Sequence, residues 1–380
     1  MRIGIVAGEA SGDLLGAGLI EAVRARHPDA RFEGVAGPRM QAAGCDVWQD
    51  SELLAVMGLI EPLKVLPSLL RLRRDLIDRW AASPPDVFVG IDAPEFNLGL
   101  ELRLRKRGIR TIQYVSPQVW AWRQKRVEKI GRAVDKVLCL LPFEKAFYDE
   151  HGVPADVVGH PLADAMPAEP DRAAARRELG LGHGAVVAIL PGSRAGEVSR
   201  LGPVFAQAIA LLATHLPTLK FIAPMANAGA RTVFSSACDE YAYGIDVRLL
   251  DGDAPTAITA ADVVLLASGT ASLQTALLQR PMVSAYRVAP TTYYLARMLR
   301  LLKVPHFTMP NLLTPEPLVP EFLQNEGTPE VLASAVRKLL DDAPRRARIE
   351  NEFSRLRGQL ALDANERAAD AVIAMAGKTD

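Results

Sequence analysis

Two short strings carry the clearest chemistry in this chain: Pro191-Gly192-Ser193-Arg194 and Ser268-Gly269-Thr270-Ala271-Ser272. Each follows an apolar run that reads as a buried strand, Val186–Leu190 and Val263–Ala267, and each precedes a stretch of helical pattern. A small-residue turn between a strand end and a helix start exposes backbone N–H groups, and the helix dipole adds partial positive charge. Such a turn suits phosphate. Two of them in one half-chain, one carrying the planar fork of Arg194, point to a diphosphate and so to a nucleotide-linked substrate. Glu197 falls in the first turn of the next helix, where an acid complements the dipole.

The first half offers a different set. Asp92 ends the apolar run Val87–Ile91. A carboxylate at a strand's carboxyl end can serve as a general base, and a structural turn is the competing reading. Gly8-Glu9-Ala10-Ser11-Gly12-Asp13 follows the first strand and lacks the G-x-G-x-x-G spacing. Glu9 and Ser11 can bind sugar hydroxyls; alternatively the string is a tight turn in which Asp13 or Ser11 caps the helix. Trp120 and Trp122, beside Arg123, Lys125 and Arg126, can hold an anionic sugar, although tryptophans are more often packed. His160, in Gly159-His160-Pro161, can line a cleft, but a lone histidine is more often structural.

The elements that must position these residues alternate strand and helix. Strands are predicted at Ile3–Ala7, Phe32–Ala36, Val87–Ile91, Thr111–Val115, Lys136–Leu141 and Asp156–Val158, with helices at Asp13–Arg26 and Leu98–Arg107. The grammar restarts with strands at 186–190, 219–223, 246–250, 262–267 and 282–286 and helices at 196–215, 227–241, 270–279 and 291–302. Residues Ala163–Arg177, rich in Ala, Pro and charge, read as a linker. The expected fold is α/β: two Rossmann-like domains, 1–165 and 176–344, facing across a cleft, with a helical tail whose last part, 345–380, packs on the first domain or on a partner. Ligands in open α/β sheets bind beyond the carboxyl ends of the strands.

Composition narrows the class. The chain has 380 residues, with Lys plus Arg 44 and Asp plus Glu 44, so a bulk polyanion such as nucleic acid is not implied as a partner. Its three cysteines are far apart and in no metal-ligand spacing, which fits a reducing compartment. No signal peptide or membrane-spanning run is visible. Leu54–Trp80 mixes many apolar residues with Lys64, Arg71, Arg73 and Arg74, and Pro62 and Pro67 are expected to prevent one long helix there. Leu69, Leu72, Leu76 and Trp80 share a helical face, which normally means core. A basic, apolar segment also suits docking on an anionic membrane surface.

Several strings together resemble lipid-A-disaccharide synthases: Gly8–Asp13, Gly34–Met40, Gly90–Pro94, Val115–Arg126, Leu141–Glu144, Gly159–Pro161, Leu190–Arg194, Ser268–Thr270 and Pro310-Asn311-Leu312-Leu313. They occur in unbroken order from about residue 2 to 325. The resemblance implies a GT-B glycosyltransferase that moves 2,3-diacylglucosamine from its UDP derivative to 2,3-diacylglucosamine 1-phosphate (lipid X), with inversion, giving a β-1,6-linked disaccharide 1-phosphate and UDP. It implies no metal and no other cofactor, a peripheral place on the cytoplasmic face of the inner membrane through about 56–76, and leaves a homodimer open. The resemblance implicates Asp92 in catalysis and Asn311 in binding; joined to the residue reading above, the expected catalytic set is Asp92, Glu9 and Arg194, and the expected substrate or nucleotide set is Ser11, Gly192, Ser193, Ser268, Gly269, Thr270, Gln274 and Asn311.

Two departures stand out. Gln274 replaces the glutamate usual in the family, which weakens a hydrogen bond to ribose hydroxyls by removing its charge. Thr314-Pro315-Glu316-Pro317 replaces an Ala-Gly-Arg-Glu type string, removing an arginine. A UDP-N-acetylglucosamine 2-epimerase would share the fold and UDP site without needing the apolar basic segment. A non-catalytic UDP-sugar-binding relative is the other alternative, opposed by retention of Asp92 and Arg194.

Overall fold

The computed structural model describes residues 1–55, 62–117, 119, 126–288 and 306–377. The chain divides into two compact units, Met1–Asp164 with Gln359–Asp380, and Ala165–Gly358.

The first unit holds β1 (Arg2–Ala7), α1 (Glu9–Arg26), β2 (Arg31–Ala36), α2 (Pro38–Ala42), β3 (Cys45–Asp50), α3 (Glu52–Ala55), α4 (Pro62–Ala82), β4 (Val87–Ile91), α5 (Pro94–Arg105), β5 (Thr111–Tyr114), α6 (Val127–Ala133), β6 (Lys136–Cys139), α7 (Pro142–Glu150), β7 (Ala155–Val157) and α8 (Pro161–Ala165). Its seven strands are parallel, in the order β3-β2-β1-β4-β5-β6-β7. The order reverses between β1 and β4, which pair Ile3 with Val87 through Ala7 with Ile91. The turns after these two strands, carrying Glu9 and Asp92, therefore flank the topological switch point, where this class of sheet binds ligands.

Buried side chains cover both faces of this sheet. One face packs Ile3, Ile5, Val87 and Val89 with α1. The other packs Val6, Phe88 and Trp80 with α4 and α5. Contrary to expectation, α4 runs unbroken from Pro62 through Pro67. Pro62 opens the helix, where its missing N–H costs nothing. Pro67 costs about 3 kcal/mol. Burial of Leu69, Leu76 and Trp80 at about 1.5–3 kcal/mol each outweighs that. Residues 56–61 lie outside the described residues.

The second unit holds α9 (Arg172–Glu178), β8 (Val186–Leu190), α10 (Ala195–His215), β9 (Lys220–Met225), α11 (Ala228–Tyr241), β10 (Val247–Asp251), α12 (Ala254–Ala260), β11 (Val263–Ala267), α13 (Thr270–Leu277), β12 (Met282–Tyr286), α14 (Met309–Leu313), β13 (Glu321–Leu323), α15 (Pro329–Asp341) and most of α16 (Ala343–Leu360). Its parallel sheet runs β10-β9-β8-β11-β12-β13 and reverses between β8 and β11. The turns at that switch are the two glycine strings. Asp262 and Glu350 bind Arg172, Arg176 and Arg280, tying α9 and α16 to the base of this sheet.

The last helix, α17 (Ala364–Ala376), belongs to the first unit. Ala368, Ala369 and Val372 join the core beside α1, and Arg26 pairs with Glu366 and Asp370. Asp164 accepts from the backbone N–H groups of Asp363 and Ala364, fixing the start of α17. The helix expected at 291–302 lies outside the described residues. Among the described residues no helix is long and apolar enough to cross a membrane.

Candidate active site

In the first unit the carboxyl edge of the sheet concentrates backbone strain. Glu9 has φ +59°, Asp92 +51°, Ala93 +41° and Val115 +76°, following β1, β4 and β5. Left-handed backbone is disfavoured for all four types, most of all for β-branched valine, and such residues gather where function requires a fixed geometry. Gly8 permits the close approach of the two turns: a Cβ there would lie 2.6 Å from that of Ala93. Glu9 and Ser11 are exposed. Neither Ser11 nor Asp13 caps α1, which starts from Gly8 with no side-chain cap. Asp13 instead accepts from the N–H groups of Gly37, Arg39 and Met40 at 3.0 Å, capping α2 and joining the turn after β1 to that after β2.

Asp92 is partly buried. Burial pushes its carboxyl above the usual aspartate value, a backbone hydrogen bond from Ala93 opposes this, and the negative charge of Glu9 adds to the rise. The net effect is a carboxylate of increased proton affinity, beside a second carboxylate, at a sheet's switch point. That suits a general base.

In the second unit the carboxyl ends of β8, β9, β10 and β11 enclose a cavity of ≈ 330 Å³. Gly192, Ser193, Arg194, Glu197, Ser268, Gly269, Thr270 and Gln274 line it. Both helices that begin here, α10 after Arg194 and α13 after Gly269, have no side-chain cap. By contrast α11 and α12 are capped by Asn227 and Asp253. The first-turn N–H groups of α10 and α13 thus lack a side-chain cap, as an anion site requires. Arg194 is 80% exposed and, among the described residues, its guanidinium pairs with the Glu197 carboxylate at 3.5 Å alone, so little there holds it back from a ligand.

Sequence reasoning missed the rest of this lining: Pro224 and Met225 at the end of β9, Ala226 just after it, and Gly252 and Ala254 after β10. It also missed Asn227, whose Nδ2 donates to the Ser193 carbonyl at 2.9 Å and fixes the Pro-Gly-Ser turn. An Asn immediately before a helix was the available signal.

Other candidates are placed differently. Asn311 is buried and does not line the cavity. Its Oδ1 accepts from Leu318 and Val319 N–H, and its Nδ2 donates to the Val319 carbonyl. Its amide thus pins the loop that contains the departing Thr314–Pro317 string. In that string Thr314 Oγ1 donates to a loop carbonyl and Glu316 pairs with Arg348 at 2.5 Å. His160 accepts from Leu162 N–H, and burial lowers its pKa to about 4, so the ring is neutral. Its backbone N–H donates to Leu360, anchoring the chain before α17. Arg126 pairs with Glu95 at 2.6 Å. Trp120, Trp122, Arg123 and Lys125 lie outside the described residues.

Residues 3–375 match the family model described as lipid-A-disaccharide synthetase. The chain belongs to this family. It is 54% identical over 380 residues to the lipid-A-disaccharide synthase of Alkalilimnicola ehrlichii, covering 99% of each chain. Among solved structures it resembles the calicheamicin glycosyltransferase, with TM-score 0.61, 16% identity and coverage of 100% and 98%. It also resembles UDP-GlcNAc 2-epimerase from Neisseria meningitidis, solved with UDP-GlcNAc, with TM-score 0.60, 11% identity and coverage of 98% and 100%. At those identities the structural likeness speaks for the fold alone, two parallel-sheet Rossmann-like domains of GT-B type. As a lipid-A-disaccharide synthase the chain is a UDP-sugar glycosyltransferase of lipid A biosynthesis, which sets the epimerase reading aside.

Proposed function

We propose that this synthase transfers 2,3-diacylglucosamine from its UDP derivative to the 6-hydroxyl of 2,3-diacylglucosamine 1-phosphate by a single in-line displacement. Asp92 takes the proton from the 6-hydroxyl. The oxygen attacks the anomeric carbon as the bond to the diphosphate breaks on the opposite face, and the anomeric centre inverts. The leaving UDP gains negative charge, met by Arg194 and the N-termini of α10 and α13. Ser193, Ser268 and Thr270 supply further hydrogen bonds, and Gln274 takes the ribose hydroxyls. Glu9 raises the basicity of Asp92, and Ser11 binds an acceptor hydroxyl. Asn311 shapes the site through its loop.

The observation that carries this reading is the pair of uncapped helix N-termini beside Arg194, lining one cavity at the switch of the second sheet. The test is an assay with UDP-2,3-diacylglucosamine and lipid X in detergent micelles, with products read by mass spectrometry. A disaccharide 1-phosphate plus free UDP is expected. No product with UDP still bound would sink the substrate assignment.

The same reading places the enzyme on the cytoplasmic face of the inner membrane, where acylated substrates reside. On α4 Leu66 and Leu70 are 47% and 49% exposed, and Arg71 and Arg74 are exposed beside them. Exposed leucines flanked by cations suit an anionic lipid surface. The double variant Leu66→Ser/Leu70→Ser is expected to sediment less with vesicles containing anionic lipid while keeping its melting temperature. Unchanged sedimentation would remove this face as the contact.

A further inference from the structure

Two buried amides converge beneath the strained turn after β4. Asn97, on α5, and Gln113, in the middle of β5, are both fully buried. Asn97 Nδ2 donates to the Asp92 carbonyl at 2.8 Å. Gln113 Nε2 reaches the same carbonyl at 3.2 Å and the Val115 carbonyl at 3.2 Å. Two side chains from two elements thus occupy one carbonyl, on a residue with left-handed backbone. The partner end of each amide, Asn97 Oδ1 and Gln113 Oε1, is buried without a hydrogen bond among the described residues. Turning either amide over would set oxygen against oxygen, so the donor ends fix both orientations. Leaving two buried acceptors unmatched is a cost that ordinary packing avoids.

We infer that Asn97 and Gln113 are positioning residues. Together they clamp the Asp92 peptide so that the Asp92–Ala93 turn stays left-handed and holds the carboxylate half-buried beside Glu9. The inference rests on the reading of Asp92 as the base. Among the described residues, the charged and titratable groups around the turn include Glu9 on α1, Glu101 on α5, Arg73 on α4, which donates to the Glu95 carbonyl, and the Glu95–Arg126 pair. Glu101 is fully buried against Gly90, and burial pushes its carboxyl well above the usual glutamate value. Releasing the clamp lets the turn relax to φ below zero and the carboxylate swing into water, where the burial that raises its proton affinity is lost.

The experiment compares Asn97→Ala, Gln113→Met and the double variant with wild type, using the full chain. Three readouts are taken: the crystal structure of residues 90–97, the pH profile of kcat/KM, and UDP affinity. Each single variant is expected to lose turnover by about 10- to 100-fold. The acid limb should move to lower pH, and UDP affinity should hold. Adding Ala93→Gly to Asn97→Ala should restore part of the turnover, because glycine adopts left-handed backbone freely. If Asn97→Ala does not fold, Gln113→Met reads the same quantities. An equal drop at every pH with the limb in place would mark a folding defect and overturn the inference. So would a double variant whose Asp92 and Ala93 keep positive φ. The two readings separate through Asp92→Asn: full activity there defeats the base, while the φ values of the double variant still decide the clamp.

Discussion

Replacing Asp92 with asparagine is expected to lower turnover by about 10²–10⁴-fold, the range that general-base catalysis contributes. UDP affinity should be unchanged, because the groups assigned to the diphosphate lie in the second unit. Asparagine keeps the size and tolerates left-handed backbone, so the turn survives and only the proton acceptor goes. The pH dependence carries a sign. A base works deprotonated, so kcat/KM falls as pH drops through its pKa. Burial first, and the Glu9 charge after it, hold that pKa above the ordinary aspartate value of 3.8 against the Ala93 hydrogen bond. The acid limb therefore lies above 3.8, and Glu9→Gln, which removes the repelling charge, moves it down. Steady-state kinetics across pH reads both. Wild-type turnover in Asp92→Asn removes Asp92 as the base, and a limb that ignores Glu9→Gln assigns it to another group.

How far such a site can be read from sequence depends on whether its signal is local. The strands Val87–Ile91, Val186–Leu190 and Met282–Tyr286 stand where the apolar runs predict them, because a parallel strand covered on both faces must be apolar throughout. The edge strands β3 and β13 escaped: Cys-Asp-Val-Trp-Gln-Asp and Glu-Phe-Leu are mixed or too short, since one side of an edge faces water. The helix Pro142–Glu150 was hidden the same way, with a short, charged sequence. Pro67 misled because propensity lost to burial of the Leu69–Leu76–Trp80 stripe. In the site, the strand–glycine–helix grammar exposed the second unit's turns, since every element of that signal is contiguous. The strain at Asp92, Ala93 and Val115 had no glycine to mark it. Asn97 and Gln113 act on a carbonyl five and 21 residues away. Their trace was a polar amide inside an apolar helix face and an apolar strand, a place where an amide needs a reason.

The largest expected loss of stability comes from Gly34→Ala, one residue on the strand beside β1. Gly34 pairs with Ile5, has φ +146°, and sits where the β2–β3 register shifts. A Cβ there would lie 2.1 Å from the Ile5 carbonyl oxygen, a backbone atom held by the ladder, and 3.3 Å from the Trp80 ring. Trp80 is fully buried and packs edge-on against Phe88 at 5.1 Å, so it has no room to retreat. Overpacking, strain and a broken ladder act at one point, and a cost of about 4 kcal/mol or more follows. At about 2–4 °C per kcal/mol for a unit of this size, the melting temperature should fall by about 10 °C or more. Gly108→Ala is the control. It shares positive φ, at +82°, but its Cβ would meet nothing within 4 Å, so only the backbone term of about 1 kcal/mol remains. The difference between the two variants isolates the clash. It also reaches function: the β1–β2 pairing sets the turn that carries Glu9 against Gly37, which Asp13 binds. Scanning calorimetry of both variants decides the matter, and equal small losses would mean that β2 shifts away from β1 at little cost, leaving the Glu9 turn held by Asp13 and Gly8 rather than by the sheet.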